Sequence, residues 1–156
     1  ILTTAKGLTA GYAPGGAVVV SAKVAHHFDD QVLSCGLTAY AHPLTCAAIV
    51  AAITAYRDEG LIRRADRLGQ KLRVQLLLFA QKRAYLREVR GVGLLWAFEF
   101  VDGSRMNRFA EELRLRHVHA HKKDNNVFLA PPLVIEEAEL DAGIAALGDA
   151  MDATWA

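Results

Sequence analysis

The stretch Ile1–Ser21, ILTTAKGLTAGYAPGGAVVVS, decides how the rest of the chain is interpreted. A single lysine, Lys6, stands there among small and weakly polar residues, and no Asp or Glu occurs before Asp29. A lysine becomes nucleophilic when desolvation favours its neutral amine, and the glycines at 7 and 11 would let a bulky ligand approach the backbone. The same features also fit an exposed lysine at the end of a strand, so the residues around Lys6 leave both interpretations open.

The region around this stretch predicts two buried elements. The run GGAVVVSA (15–22) is β-branched and bounded by glycines, which is typical of a buried strand. The run PLTCAAIVAAITAY (43–56) is apolar on every face, which predicts a buried helix beginning at Pro43, with Gly60 as its C-terminal cap. A buried strand or helix needs neighbouring elements on both sides, and we expect this chain to supply too few of these neighbours.

The remainder of the chain predicts a long helix followed by a small α+β unit. One helix has apolar residues at three- and four-residue steps: Leu61, Ala65, Leu68, Leu72, Leu76 and Phe79. A strand then places Trp96, Phe98 and Phe100 on one face, and a helix capped by Ser104 follows it. A short strand in NNVFLAPPL (125–133) precedes a last helix with the stripe Leu140, Ile144, Leu147 and Met151. We expect two or three strands in this unit.

Composition limits the possible partners and location. The chain has 156 residues, a formal net charge of +1 and 53% hydrophobic residues, which predicts a folded soluble protein. Its cations form no long basic stripe and no apolar run is long enough to cross a bilayer, so we expect neither a nucleic-acid nor a membrane partner. Cys35 and Cys46 are eleven residues apart, a spacing that fits neither a redox motif nor a disulfide framework and favours a cytoplasmic protein.

Three histidines form a further candidate site. In HVHAH, a strand would place His117, His119 and His121 on one face, which is the arrangement of a three-histidine zinc site. Lys122 and Lys123 follow directly and would repel a cation, which favours a polar or anion-binding strand edge. We therefore assign no metal here.

Four stretches in this order resemble the class III (omega-type) aminotransferases, which are pyridoxal-phosphate enzymes of fold type I. The opening stretch is similar to the family's lysine segment. GLTAYAHPLTCAAIVAAI (36–53), LREVRGVGLLWAFEF (86–100) and VFLAPPLVIEEAELD (127–141) are similar to three later family motifs. The resemblance covers nearly the whole chain.

The resemblance implies roles for individual residues. Lys6 matches the catalytic lysine that holds pyridoxal 5'-phosphate as a Schiff base and then moves a proton. Thr38 matches the threonine whose hydroxyl binds the cofactor phosphate of the neighbouring subunit, which implies a homodimer with shared active sites. Gly15, Gly16 and Ala17 match the tight loop after the lysine, where small residues serve the fit of the backbone.

The chain departs from the family pattern at two places. Ala39 replaces the usual aromatic residue of the threonine motif, and Tyr40 follows one position later. Many members carry an arginine ten residues before the first proline of the PPL motif, where it binds the substrate carboxylate. This chain has His121 at that position, which makes His121 a candidate substrate-binding residue without arginine's two-pronged geometry.

The implied fold class is α/β, as the C-terminal part of a fold type I transferase. Residues 1–60 would finish the large cofactor domain, 61–83 would form a bridging helix, and 84–156 would form a small C-terminal α+β domain. The family's phosphate-cradling segment, ring-stacking aromatic residue and pyridine-binding aspartate all precede the lysine, so we expect the chain to be a C-terminal portion of a longer polypeptide.

Three functions follow from the resemblance. The first is an aminotransferase that moves an amino group from an amine or amino-acid donor to a 2-oxo acid by a ping-pong mechanism. The second is a related pyridoxal-phosphate enzyme, namely an aminomutase, an epimerase or a decarboxylase. The third is a non-catalytic fragment that lacks the N-terminal half of the site and contributes only scaffold and dimer surface.

Overall fold

The computed structural model describes residues 1–155 and divides the chain into two compact units. The first unit comprises residues 1–60, and the second begins at Leu61. Ala156, the last residue of the predicted 84–156 domain, lies outside the described residues. None of the helices in the described chain combines the length and the apolar character that crossing a membrane requires.

The first unit contains a β-hairpin and one long helix. Its elements are β1 (Leu2–Ala5), a 3-10 turn (Lys6–Thr9), β2 (Gly16–Val19), the single-turn helix α1 (Ala22–Ala25), a second 3-10 turn (His26–Phe28) and α2 (Pro43–Asp58). The two strands pair antiparallel, with Leu2 opposite Val19 and Ala5 opposite Gly16. Residues 6–15 therefore form the hairpin's connection, and Lys6 is its first residue.

The predicted start of α2 is confirmed, whereas its C-cap residue is Glu59, with Gly60 directly after it. Pro43 is the first helical residue, and the His42 side chain caps the helix by accepting a hydrogen bond from the Leu44 N–H at 3.3 Å. At the other end Gly60 has a φ of +62° and its N–H donates to the Arg57 carbonyl at 3.2 Å. A glycine suits this position because the left-handed conformation costs it no steric clash.

The burial expected for the first unit is not found in the described chain. Val18 of β2 is 65% exposed, and Leu44 and Val50 of α2 are 74% and 64% exposed. Among the residues of α2 only Ala52 is buried. Residues 1–60 supply neighbours for one side of each element, so the other apolar sides remain uncovered.

The second unit is a four-stranded antiparallel sheet with three helices. Its elements are α3 (Leu61–Gln81), β3 (Leu86–Val92), β4 (Leu95–Phe100), α4 (Met106–Leu115), β5 (His121–Lys123), β6 (Asn126–Leu129) and α5 (Glu137–Trp155). The strand order is β3-β4-β6-β5. The helix α3, which the sequence predicts as a bridging helix, packs within this unit. The predicted roles of residues 1–60, 61–83 and 84–156 stay predictions.

The predicted apolar stripes form the core of the second unit. Trp96, Phe98 and Phe100 of β4 are at most 4% exposed, which confirms their common buried face. The same core contains Leu68, Leu72 and Leu76 of α3, and Leu140, Ile144, Leu147 and Met151 of α5. On the opposite face of β4, Glu99 accepts hydrogen bonds from Arg87 at 3.0 Å and Arg90 at 2.9 Å. These bonds lower the pKa of Glu99, with the bond from Arg90 making the largest contribution.

Two expectations for the second unit were wrong. The sheet has four strands because two short turns create additional hairpins, at Gly93 and at Asp124, which have φ values of +54° and +53°. Ser104 does not cap α4, whose N-cap residue is Arg105. Instead, both the Ser104 hydroxyl and its backbone N–H donate to the Asp102 carboxylate, which keeps Ser104 in the preceding turn.

Candidate active site around Lys6

Lys6 occupies an unusual backbone position at the end of β1. It is the first residue of the 3-10 turn and has a φ of +49°, a left-handed conformation that costs a non-glycine residue about 1–2 kcal/mol. Strain of this kind clusters at functional sites. The Lys6 side chain is exposed. Within residues 1–155 no carboxylate forms an ion pair with it; the ion pairs of the first unit join His26 to Asp29 and Arg57 to Asp58.

Thr9 organises the turn that follows the lysine. It is 1% exposed, and its hydroxyl donates a hydrogen bond to the Ala13 carbonyl at 2.6 Å. The backbone N–H of Tyr12 donates to the Thr9 carbonyl at 3.1 Å. The side chain and the backbone of Thr9 thus both bond to the residues that follow it in the turn. No sequence signal marks Thr9, since a threonine in a loop carries no pattern that distinguishes a buried hydroxyl from an exposed one.

The helix α2 holds this turn at two points. The Tyr56 hydroxyl donates to the Gly7 carbonyl at 2.6 Å, and the Thr45 hydroxyl donates to the Pro14 carbonyl at 3.2 Å. Tyr56 and Thr45 lie near opposite ends of the helix, about 16 Å apart along its axis at 1.5 Å per residue. The segment from Gly7 to Pro14 is thus fixed near both of its ends to one rigid element.

The glycines of the loop differ in what they require. A Cβ at Gly15 would lie 2.7 Å from Cγ2 of Thr45, and a Cβ at Gly16 would lie 3.1 Å from the Thr4 carbonyl oxygen. The small residue at position 15 therefore leaves room for the Thr45 side chain, and the one at position 16 allows the close approach of the Thr4 backbone. Gly11 has open space around it, but its φ of +81° favours glycine.

Thr38 lies in the turn that precedes α2. Its side chain is exposed, and the turn is marked by Ala41 at a φ of +55° and by a hydrogen bond from the Tyr40 N–H to the Leu37 carbonyl at 3.1 Å. Within residues 1–155 the Thr38 hydroxyl has no hydrogen-bond partner. A free hydroxyl close in sequence to a helix N-terminus is a suitable donor for an anion.

His121, in the second unit, is the first residue of the edge strand β5. It is exposed, and its ring centroid lies 5.7 Å from that of Phe128 on the paired strand β6. The ring lines a cavity of about 450 Å³ together with His117, His119 and Lys122. The structure thus places His121 where a small ligand has room to bind.

Two cations of this cavity already have partners. Arg114 donates to Glu111 at 2.6 Å, a hydrogen bond that raises the pKa of the guanidinium and lowers that of the carboxyl. Lys122 donates to the Asn107 side-chain oxygen at 2.5 Å. The histidine imidazoles and the two remaining N–H groups of the Lys122 ammonium are therefore side-chain donors of this cavity that can face a carboxylate.

The three histidines do not share a strand face. His117 has a φ of +59° in the turn after α4, His119 lies outside any strand, and only His121 belongs to β5. The three imidazoles are not arranged along one face of an extended strand, as the zinc site would require, because the chain turns at His117 between α4 and β5. In the described part of the chain, no three His, Cys, Asp or Glu side chains come together with the geometry of a metal site.

Comparison with known proteins gives one consistent family. A profile of the family described as "Aminotransferase class-III" matches residues 1–151. A protein from rice, the probable gamma-aminobutyrate transaminase 4, is 28% identical over 99% of this chain and 35% of its own length.

Solved structures agree with this result. The taurine:2-oxoglutarate aminotransferase of Bifidobacterium kashiwanohense, in complex with PLP and glutamate, matches with a TM-score of 0.89 and 30% identity over 96% of this chain and 37% of its own. The PMP-bound aminotransferase of Vibrio fluvialis matches with a TM-score of 0.91 and 29% identity over 98% of this chain and 37% of its own. The chain thus spans about a third of the length of these relatives.

Proposed function

The chain belongs to the class III aminotransferase family, and on this basis we propose that the complete protein is a pyridoxal-phosphate-dependent aminotransferase. It moves an amino group from an amine or amino-acid donor to a 2-oxo acid. The observation that carries this proposal is Lys6, an exposed amine in a strained backbone conformation at the position that matches the family's catalytic lysine.

The described residues fit the proposed cofactor. Pyridoxal phosphate presents an aldehyde and a phosphate, which call for a free primary amine and for hydrogen-bond donors. Lys6 offers an amine with no carboxylate partner in residues 1–155, and Thr38 offers an uncommitted hydroxyl. When bound, the cofactor supplies the electron sink that makes the substrate's Cα proton acidic.

Lys6 has two tasks in this proposal. Its Nζ would hold the cofactor, and the same amine, when free, would accept the proton from the donor's Cα. Because proton transfer requires the two atoms to be in hydrogen-bond reach, the direction of the Lys6 side chain matters as much as its chemistry. The fixed turn from Gly7 to Pro14 supports that requirement.

Thr38 and the uncovered apolar surface of the first unit support a homodimer. We propose that the Thr38 hydroxyl donates to the cofactor phosphate of the neighbouring subunit. A second copy of the complete chain would also cover apolar side chains that the described chain leaves open, such as Val50 at 64% and Ile53 at 50% exposure.

His121 is the proposed contact for the substrate carboxylate. An imidazole N–H donates one hydrogen bond where an arginine would donate two, so the site would bind acceptors less tightly than an arginine site does. The printed names of the relatives, gamma-aminobutyrate transaminase and taurine:2-oxoglutarate aminotransferase, support an amine donor and a 2-oxo acid acceptor.

Trapping the cofactor tests the proposal directly. The complete protein is loaded with pyridoxal phosphate, reduced with borohydride, digested and analysed by mass spectrometry. We expect the cofactor mass on Lys6, its loss in Lys6→Ala, and its retention in Lys23→Ala, which removes an exposed lysine of α1. Cofactor on another lysine would overturn the assignment.

A second measurement separates transfer from the related activities. Incubation of the loaded protein with an amine donor alone should convert the bound cofactor stably to pyridoxamine phosphate, and a 2-oxo acid should reverse the change. An aminomutase, epimerase or decarboxylase would leave the aldehyde form predominant after the donor is consumed. The non-catalytic alternative concerns residues 1–156 alone: that chain should then bind no cofactor, and tight, stoichiometric binding by it would contradict this alternative.

A further inference from the structure

We infer that Tyr56 is a positioning residue for Lys6, acting through the backbone of Gly7. The inference rests on the proposed role of Lys6 and adds a residue that lies 50 positions further along the chain. Its basis is the 2.6 Å hydrogen bond from the Tyr56 hydroxyl to the Gly7 carbonyl, directly after the strained lysine.

The Tyr56 hydroxyl bonds to the carbonyl of a glycine, the residue type with the greatest conformational freedom. The same Gly7 carbonyl accepts a longer hydrogen bond from the Ala10 N–H at 3.2 Å. The shorter bond from Tyr56 therefore limits how the chain can rotate immediately after Lys6. The left-handed conformation of Lys6 persists only where the surroundings determine it, and this bond is part of those surroundings.

The hydrogen-bond donor is itself held in place. Tyr56 lies in the last turn of the 16-residue helix α2 and is half-buried, on the same helix face as Ala52 and Thr45. Thr45 fixes the far end of the loop at Pro14, so α2 serves as the common support of the whole segment. A displacement of the Lys6 amine by about 1 Å would lower the rate of proton transfer, although every reacting group would still be present.

The competing explanation is that Tyr56 only contributes stability. A tyrosine side chain that packs between a helix and a loop stabilises the folded state whether or not the loop carries a reactive residue. The two explanations differ in what the loss of the hydroxyl changes: a packing role affects the unfolding temperature alone, whereas a positioning role alters the reactivity of Lys6 at temperatures where the protein is fully folded.

The test compares Tyr56→Phe with Thr54→Val in the complete protein. Thr54 lies two residues earlier on α2, and within residues 1–155 its hydroxyl makes no hydrogen bond, so Thr54→Val removes a hydroxyl from the same helical turn without removing the contact to Gly7. Circular dichroism and thermal unfolding confirm that both variants are folded at the assay temperature.

Three readouts follow. For Tyr56→Phe we expect kcat to fall about tenfold, with the KM for the donor changed less than about twofold, because the reacting groups are misplaced while binding is retained. The affinity for pyridoxal phosphate should fall about fivefold, the effect of one lost hydrogen bond. In the cofactor-free protein, the rate at which an amine-reactive reagent labels Lys6, measured by mass spectrometry, should also rise. Thr54→Val should match the wild type in all three.

The inference is overturned if Tyr56→Phe lowers only the unfolding temperature, or if Thr54→Val produces the same losses. Failure of the proposed function is visible separately, since wild-type protein would then carry no cofactor on Lys6. The labelling of Lys6 in cofactor-free protein still tests the role of Tyr56 in that case.

Discussion

Gly69 of α3 and Gly93 of the β3–β4 turn meet backbone to backbone. A Cβ on Gly69 would lie 2.5 Å from the Gly93 Cα and 2.6 Å from its carbonyl oxygen. That carbonyl also accepts a hydrogen bond from the Trp96 indole at 2.8 Å, so it has little freedom to move away. The close approach brings the long helix onto the sheet of the second unit.

Gly69→Ala should therefore destabilise the protein strongly. The added methyl group meets backbone atoms, which cannot rotate aside as a flexible side chain would. Overpacking of this kind costs about 1–3 kcal/mol, and we expect the upper end of that range in the free energy of unfolding. Urea unfolding of the complete protein, monitored by tryptophan fluorescence, measures the loss.

Gly143→Ala is the matched control, because Gly143 is also a helical glycine of the second unit. A Cβ there would have nothing within 4 Å. Alanine has a higher helix propensity than glycine by about 1 kcal/mol, so this variant should be as stable as the wild type or more so. Equal destabilisation by both substitutions would show that the contact between Gly69 and Gly93 is not the cause.

The sequence predicted the second unit well where the pattern is local. The stripes of α3 and α5 and the alternation of β4 each reflect a periodicity that a few neighbouring residues define, and all three elements are confirmed. The left-handed conformation of Gly60, just after α2, also follows from the local preference of glycine. The hairpin turns were missed because the left-handed conformations of Gly93 and Asp124 leave only weak signals in the sequence.

The candidate site depends on a different kind of signal. Lys6, Thr38 and His121 follow from motifs, and their roles stay predictions, whereas no motif marks Tyr56, because its contact with Gly7 joins residues 49 positions apart. No local pattern marks a phenol that meets one carbonyl across such a separation. The burial predicted for β2 and α2 is not found in the described chain, because apolar composition alone does not say which neighbours cover an element.

The ion pair between Asp152 and Arg83 makes stability depend on acid pH. Arg83 donates two hydrogen bonds to Asp152, at 2.9 and 2.6 Å, and Tyr85 donates a third at 2.6 Å. These bonds lower the pKa of Asp152 below its ordinary value of 3.8, with Arg83 as the main cause. In the same cluster, burial and then the bond to Asp152 raise the pKa of Tyr85.

Since the folded protein holds the Asp152 carboxylate ionised, the stabilisation is complete above the ordinary pKa and is lost as the pH falls through the lowered value. Asp152 is 53% exposed in its side chain, so Asp152→Asn should cost about 1 kcal/mol at neutral pH. The difference from the wild type should shrink below about pH 4. Asp149→Asn, at an exposed aspartate of the same helix, is the control for the removal of one negative charge, and a difference that stays constant with pH for Asp152→Asn would contradict the prediction.

Thr38→Val should weaken the binding of pyridoxal phosphate by roughly tenfold or more, because a hydrogen bond to a charged group contributes about 1.5–3 kcal/mol. Valine keeps the shape of the side chain and removes only the hydroxyl. Fluorescence titration of the cofactor-free complete protein measures the affinity. Thr38→Ser, which retains a hydroxyl, should stay close to the wild type.

Pyridoxal without its phosphate provides the internal control for this residue. Its affinity should be the same for the wild type and Thr38→Val, since the contact that is removed involves the phosphate alone. An equal loss of affinity for both ligands would instead indicate that Thr38 shapes the turn before α2, in which Ala41 has a φ of +55°.

His121→Ala should raise the KM for a 2-oxo acid acceptor by about tenfold, which corresponds to the loss of one hydrogen bond to a carboxylate. The KM for an amine donor that has no carboxylate should not change, because such a donor makes no use of the imidazole. His121→Arg should lower the acceptor KM below that of the wild type, since guanidinium can donate two parallel hydrogen bonds. Steady-state kinetics of the complete protein with both substrate types gives all of these values.

Lys123→Ala is the matched control for general electrostatics at this edge of the sheet. Lys123 belongs to the same three-residue strand as His121 and is exposed, but it does not line the 450 Å³ cavity. If the cavity binds the carboxylate through His121, removing this neighbouring charge should leave the acceptor KM within about twofold of the wild type. A similar rise in KM for both variants would mean that the strand acts through its overall positive charge, and the specific role of His121 would then be wrong.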